Sequence, residues 1–167
     1  CAPCSSGAIL QLARGDFENV SDFVVMFYNP NIYPDTEYQK RLAEQIRYCD
    51  ALGVKYHLGD YDHDQWLESI SGNENDPERG GRCAKCFRHR FRFAQKWALE
   101  NGYDAICSVF GVSKHKDQSQ VDAAADAELN QIKYLPIKWD EELRQTTGRA
   151  ANFYRQQYCG CEFSIRK

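Results

Sequence analysis

Short apolar runs alternate along the chain with longer segments in which apolar residues recur every three or four positions. The short runs predict four strands, at 22–27, 54–58, 103–109 and 132–137. The helical spacing predicts helices at 4–13, 35–52, 64–70, 82–100 and 117–129, with another helix before Cys159. Because strands alternate with helices, we expect an α/β fold with a mainly parallel sheet flanked by helices.

The loops that follow the strands are expected to form the ligand-binding edge of this sheet. The loops after Phe27 and after Val109 would both open onto that edge. Cys1 and Cys4 would lie there too if a strand precedes them. We therefore expect one α/β domain over residues 1–167, completed by an N-terminal strand upstream of residue 1.

The composition is that of an ordinary globular protein, since 43% of the 167 residues are hydrophobic and 27% are charged. The chain contains no apolar run near 18 residues long, so the sequence predicts no transmembrane helix. We expect a cytoplasmic protein with no membrane partner.

The cysteines are unevenly distributed, because six of the eight form three close pairs. The pairs are Cys1 with Cys4, Cys83 with Cys86, and Cys159 with Cys161. Thiolates that converge from distant segments typically hold a soft metal or an iron–sulfur cluster. The pairs therefore predict a metal centre.

Other roles for these cysteines stay open on spacing alone. A C-x-x-C pair can form half of a zinc site or a redox dithiol, and Cys1 with Cys4 is similar to the dithiol of thioredoxin-like proteins. A disulfide framework is a further alternative. The C-G-C spacing is shorter than the roughly two to four residues usual between zinc ligands, which favours a cluster.

Positive charge is concentrated locally although the formal net charge is −3. Residues 79–96 carry seven lysines and arginines and no acid. The run is either a solvated helix face or a phosphate-binding surface beside Cys83 and Cys86.

Two further groups of polar residues are candidates for ligand contacts. The loop containing Tyr28, Asn29 and Asn31 is either a plain turn or a site for polar recognition and stacking of a planar ligand. Glu37 and Arg41 are four residues apart, so they either form a surface ion pair or flank the ligand of that loop.

Six motifs occur in a fixed order along nearly the whole chain. They are C-A-P-C-S at 1–5, Y-N-P-N-I at 28–32, E-Y-x-x-R at 37–41, R-C-x-x-C-F-x-x-R at 82–90, S-K-H-K at 113–116 and Y-R-Q-Q-Y-C-G-C at 154–161. Together they resemble the motifs of the cobalamin-independent epoxyqueuosine reductase family.

The resemblance implies a HUP-like nucleotide-binding fold and an oxidoreductase of queuosine biosynthesis. Its substrate would be epoxyqueuosine at the wobble position of tRNA with GUN anticodons, reduced to queuosine with electrons from a separate donor. It implies a 4Fe–4S cluster and an adjacent metal ion, iron, held by Cys1, Cys4, Cys83, Cys86, Cys159 and Cys161. The tRNA-binding candidates are Glu37, Arg41, Arg82, Arg88, Arg90, Lys116, Arg155 and Gln156. The catalytic candidates are Tyr28, Asn29, Asn31 and Tyr154.

The chain departs from the family pattern at two places. The family motif reads C-C-A-P, whereas this chain opens on one cysteine, and Phe110, Gly111 and Val112 precede the S-K-H-K motif where a threonine- and leucine-richer approach is expected. The alternative function is a non-redox, zinc-containing RNA-binding module on the same scaffold. An ATP-dependent tRNA thiolase ranks last, because the chain has no S-G-G-x-D-S phosphate loop.

Overall fold

The computed structural model describes residues 1–165, in which helices and short strands alternate. The helices are α1 (Ala2–Arg14), α2 (Asp35–Leu52), α3 (His63–Ser69), α4 (Gly81–Glu100), α5 (Gln118–Glu128) and α6 (Glu141–Ala150). The strands are β1 (Val25–Phe27), β2 (Tyr56–Leu58), β3 (Ala105–Cys107) and β4 (Lys133–Leu135). Single 3₁₀ turns occupy Phe110–Val112 and Glu162–Ser164. The α/β class is confirmed.

Local sequence signals set several helix ends. Asp117 caps α5 by accepting a hydrogen bond from the Ser119 amide at 2.8 Å. Helices α1 and α2 end at Gly15 and Gly53, whose φ angles of 76° and 63° lie in the left-handed region that glycine adopts without strain. These ends fix where the chain turns toward each following segment.

The strands form two separate parallel pairs, so the expectation of one continuous sheet is wrong for residues 1–165. Strand β1 pairs with β2, with Val25 opposite Tyr56, and β3 pairs with β4, with Ala105 opposite Lys133. Residues of β1 and β3 line a cavity of about 990 Å³. Within residues 1–165, β1 and β3 are not neighbours in a sheet, where paired strands lie about 4.8 Å apart.

The core is divided between the two sides of this cavity. On one side α1 and α2 bury Ile9, Tyr48 and Cys49, which pack together with Phe153. On the other side α4 and α5 pack through five buried residues: Phe87, Phe91, Val121, Ala124 and Ala125. A smaller apolar cluster joins α3 to α4 and to the C-terminal segment through Trp66, Cys86 and Cys161. The first turns of α4 therefore lie against the C-terminal segment.

No helix within residues 1–165 is both long enough and apolar enough to cross a lipid bilayer.

Candidate metal centre

Four cysteines line one small cavity where α4 meets the C-terminal segment. Cys83 and Cys86 lie on the first turns of α4, and Cys159 and Cys161 come from the C-terminal segment. The cavity has a volume of about 20 Å³, and Trp66 of α3 closes one side. Two of the three cysteine pairs predicted from the sequence therefore converge.

The start of α4 is fixed by the loop that precedes it. A Cβ atom on Gly81 would lie 2.7 Å from the Asp76 carboxylate, so this position requires the close approach that glycine allows. The Arg82 side chain is only 3% exposed. It donates from Nη1 to the Glu74 carbonyl at 2.6 Å and to the Asp76 carbonyl. Arg82 thereby holds the loop against the helix that presents Cys83 and Cys86.

Arg90, two turns further along α4, is also buried and lies beside the cysteines. Its guanidinium donates to the Tyr28 carbonyl at 3.1 Å and to Asn29 Oδ1 at 2.6 Å. It also lies 3.8 Å from the centre of the Phe110 ring, close enough for a cation–π contact. The loops that follow β1 and β3 are thus joined through one buried cation.

Burial favours the neutral form of three thiols of this site by raising their pKa values. It raises the pKa of Cys161 to about 12. It also raises the pKa of Cys86, where the nearby Arg90 guanidinium opposes the shift, and the pKa of Cys83. A metal ion would have to displace these protons, because the thiolate is the form that ligates.

Polar atoms without partners point to a missing group in this cavity. Asn31 Oδ1, Trp66 Nε1 and Arg82 Nε are buried and make no hydrogen bond of normal geometry, and all three residues line the cavity. Trp66 lies close enough to the Cys86 thiol to favour its charged form. Two free N–H donors beside four thiols suit the sulfur atoms of a cluster, since buried donors are rarely left unpaired.

The three cysteine pairs do not form one complete set of metal ligands. Within residues 1–165, no three Cys, His, Asp or Glu side chains lie close enough together to hold an ion as they stand. Cys1 and Cys4, at the start of α1, line the larger cavity instead. Cys159 lines both cavities, the larger one with Cys1 and Cys4 and the smaller one with Cys83 and Cys86.

Among the catalytic candidates, only Asn31 lines the four-cysteine cavity in the part of the chain that is described. The Tyr28 hydroxyl is hydrogen-bonded to His89 Nε2 at 2.8 Å, and burial raises its pKa to about 12. Asn29 is bound to Arg90. Tyr154 is 40% exposed and its hydroxyl donates to Glu37 Oε2 at 2.8 Å.

The tRNA-binding candidates separate into buried and exposed groups. Glu37, Arg41, Arg82 and Arg90 are buried. Arg88 is half exposed and pairs with Glu128 at 2.6 Å. Lys116 lines both cavities, and Arg155 and Gln156 line the larger one.

Two residues of the site were not found by sequence reasoning. Trp66 lines the four-cysteine cavity. The one feature of the sequence that points to a role in the site is its position after the second strand. His63 links the Pro30 carbonyl, at 2.7 Å from Nδ1, to Glu162 Oε1, at 3.1 Å from Nε2. His63 thus joins the loop after β1 to the residue beside Cys161, a contact between distant segments that leaves no pattern in the sequence.

Comparisons of the sequence with known proteins identify one family. A sequence model described as "Epoxyqueuosine reductase QueH" matches residues 1–167. The chain is 36% identical over 174 residues to the Epoxyqueuosine reductase QueH of Histophilus somni, with 99% of this chain and 70% of that protein covered. It is 36% identical over 176 residues to the protein of the same name from Acinetobacter baylyi, covering 99% and 78%. The chain therefore belongs to the epoxyqueuosine reductase QueH family.

Proposed function

We propose that this chain reduces epoxyqueuosine to queuosine at the wobble position of tRNA with GUN anticodons. Family membership supports the reaction class, which is that of an oxidoreductase. The single observation that carries the proposal is the convergence of Cys83, Cys86, Cys159 and Cys161 on one cavity with unpaired N–H donors. The reaction consumes two electrons and two protons, and the epoxide oxygen leaves as water.

The six cysteines of the three pairs suit an iron–sulfur site with a second metal beside it. Cys1, Cys4, Cys83, Cys86, Cys159 and Cys161 would together hold a 4Fe–4S cluster and an adjacent iron. Such a centre would supply single electrons and a Lewis acid for the epoxide oxygen.

The protein residues around the centre would bind and orient the substrate. Lys116 lies where the two cavities meet, so its ammonium would attract the anionic tRNA backbone toward the cysteines. Arg155 is exposed and Arg88 half exposed, which suits contacts with phosphates. Tyr154 and Tyr28 are the candidate proton donors, and Asn29 and Asn31 the candidate polar contacts to the nucleoside.

The HUP-like fold belongs to the same proposal. The two parallel strand pairs, in each of which a helix connects one strand to the next, support it. One domain would then cover the chain. A cytoplasmic location and a separate electron donor follow from a tRNA substrate and from the electrons that the reaction consumes.

Reconstitution followed by a nucleoside assay tests the function. The protein is loaded anaerobically with iron and sulfide, reduced, and incubated with tRNA that contains epoxyqueuosine. The expected product nucleoside is one oxygen atom lighter, and the loaded protein absorbs broadly at roughly 400 nm. A protein that binds zinc alone and leaves the nucleoside mass unchanged would support the non-redox RNA-binding alternative.

A further inference from the structure

The buried ion pair between Glu37 and Arg41 holds the C-terminal segment onto α2. Arg41 is 2% exposed, and its Nε donates to Glu37 Oε1 at 2.7 Å. Nη1 donates to the Cys159 carbonyl at 3.1 Å and Nη2 to the Tyr158 carbonyl at 3.4 Å. Each nitrogen of the guanidinium is therefore directed at a protein acceptor, and two of the three acceptors belong to the C-terminal segment.

The carboxylate of the pair contacts the same segment. Glu37 Oε2 accepts the hydrogen bond of the Tyr154 hydroxyl at 2.8 Å. The Tyr158 ring centre lies 5.1 Å from the Arg41 guanidinium, within range of a cation–π contact. A buried ion pair is weak support for stability, because desolvation cancels much of its attraction. Its contacts with residues 154–159 indicate instead that it sets the position of that segment.

The glycine between the two cysteines packs directly on the guanidinium. A Cβ atom on Gly160 would lie 2.8 Å from Arg41 Nη1 and 3.1 Å from Ile32 Cγ1, and its φ of 114° is strained for any other residue. The Gly160 carbonyl accepts the Tyr33 amide at 2.8 Å. The backbone on both sides of Cys159 is thus held by α2 and by the loop after β1.

We propose that Arg41 and Glu37 are positioning residues that fix Cys159 at the boundary between the two cavities. Cys159 lines the smaller cavity together with the α4 pair and the larger cavity together with the N-terminal pair. The consequence for cofactor loading rests on the proposed function, whereas the positioning of the thiol does not. A direct contact of Arg41 with tRNA would require the guanidinium to leave all three of its acceptors.

The double variant Glu37→Gln/Arg41→Met tests the positioning in the unloaded protein. It removes both charges together, so neither is left buried and unpaired. Alkylation of each cysteine by iodoacetamide is followed by peptide mass mapping. Cys159 is expected to react about tenfold faster than in the unchanged protein, the effect of losing about one charge-assisted hydrogen bond. The rate at Cys49, which is 0% exposed, should not change.

Two further variants separate the effect of the ion pair from a general effect of substitution. Gln39→Met removes from the same helix an exposed polar side chain, whose amide donates to Asp35, and should leave the Cys159 rate unchanged. Tyr154→Phe removes only the hydroxyl bound to Glu37 and should raise the Cys159 rate by about two- to threefold, a neutral hydrogen bond being weaker than a charged one. Acceleration of Cys159 and Cys49 together in the double variant would mean global destabilisation and would overturn the proposal.

Cofactor loading gives an independent readout. After reconstitution, the double variant should bind less iron per chain than the Gln39→Met control, and its reduced-state electron paramagnetic resonance spectrum should differ. A folded double variant with unchanged Cys159 alkylation, iron content and spectrum would refute the proposal. If the unchanged protein takes up no iron, the proposed function fails, and the alkylation comparison still decides the role of Arg41.

Discussion

We expect Arg90→Met to lower the free energy of unfolding far more than Arg92→Met, the same substitution two residues further along the same helix. The Arg90 side chain joins three segments, because it donates to the Tyr28 carbonyl and Asn29 Oδ1 and packs on the Phe110 ring. Arg92 is 63% exposed and shares Glu128 with a second arginine. The two positions therefore differ in burial and in partners, while the chemical change is identical.

The contacts set the expected magnitude. Hydrogen bonds to a charged group contribute about 1.5–3 kcal/mol each, and a desolvated cation–π contact about 2 kcal/mol. Burial opposes the charge of Arg90 and lowers its pKa, so part of that sum is offset by desolvation. Methionine keeps the apolar stem. We expect a net loss of about 3 kcal/mol for Arg90→Met, against about 0–1 kcal/mol for the exposed Arg92→Met.

Urea unfolding of the unloaded protein, followed by circular dichroism, measures the difference. A loss of about 3 kcal/mol corresponds to a melting temperature lower by roughly 6–12 °C for a chain of this size. The Arg90 guanidinium also holds down the pKa of Cys86, so the Cys86 thiol should ionise at higher pH in the variant. Equal unfolding free energies for the two variants would refute the assignment of Arg90 as the residue that joins the two loops.

Three other substitutions have defined outcomes. Trp66→Phe removes an unpaired N–H beside the thiols. It should therefore lower the reduction potential of the loaded centre by roughly 40 mV, equivalent to about 1 kcal/mol, in a spectroscopic redox titration. Trp97→Phe is the control and should leave that potential unchanged. Burial raises the pKa of Glu128, but hydrogen bonds from two arginines lower it overall. Its contribution to stability is therefore present at pH 7 and lost as the pH falls below about 4, so the difference in melting temperature between Glu128→Gln and the unchanged protein should narrow there. Gly160→Ala should reduce the iron bound per chain, because its Cβ meets the Arg41 guanidinium; undiminished iron would contradict that contact.

Helices were predictable from the sequence because their signals are local. The predicted range 35–52 coincides with α2, and 82–100 differs from α4 by one residue. The apolar run 103–109 became a strand of only three residues, 105–107. Strand length depends on a partner at the correct spacing, and the edge of β3 that faces the cavity has none within residues 1–165.

The candidate site shows the same division between local and distant information. The α4 and C-terminal pairs, which their close spacing had marked as metal ligands, line one cavity, whereas Cys1 and Cys4 line the larger one. The charged run at 79–96 does not by itself distinguish inward-facing from outward-facing arginines. The signal for the inward face is the spacing of Arg82, Cys86 and Arg90, which lie four residues apart and must share one helix face.

The inward arginines have a consequence for the charge of the site. Arg41 has a carboxylate partner, but the guanidinium groups of Arg82 and Arg90 donate to carbonyl and amide oxygens, which do not balance their charge. Burial meanwhile raises the pKa of Cys83, Cys86 and Cys161, so the unloaded site has buried cations beside neutral thiols. Loading a cluster would convert those thiols to thiolates and supply the missing negative charge. Cofactor binding and folding would therefore be linked through the same arginines, and part of the positive charge in residues 79–96 lies in the interior, where Arg82 and Arg90 are buried.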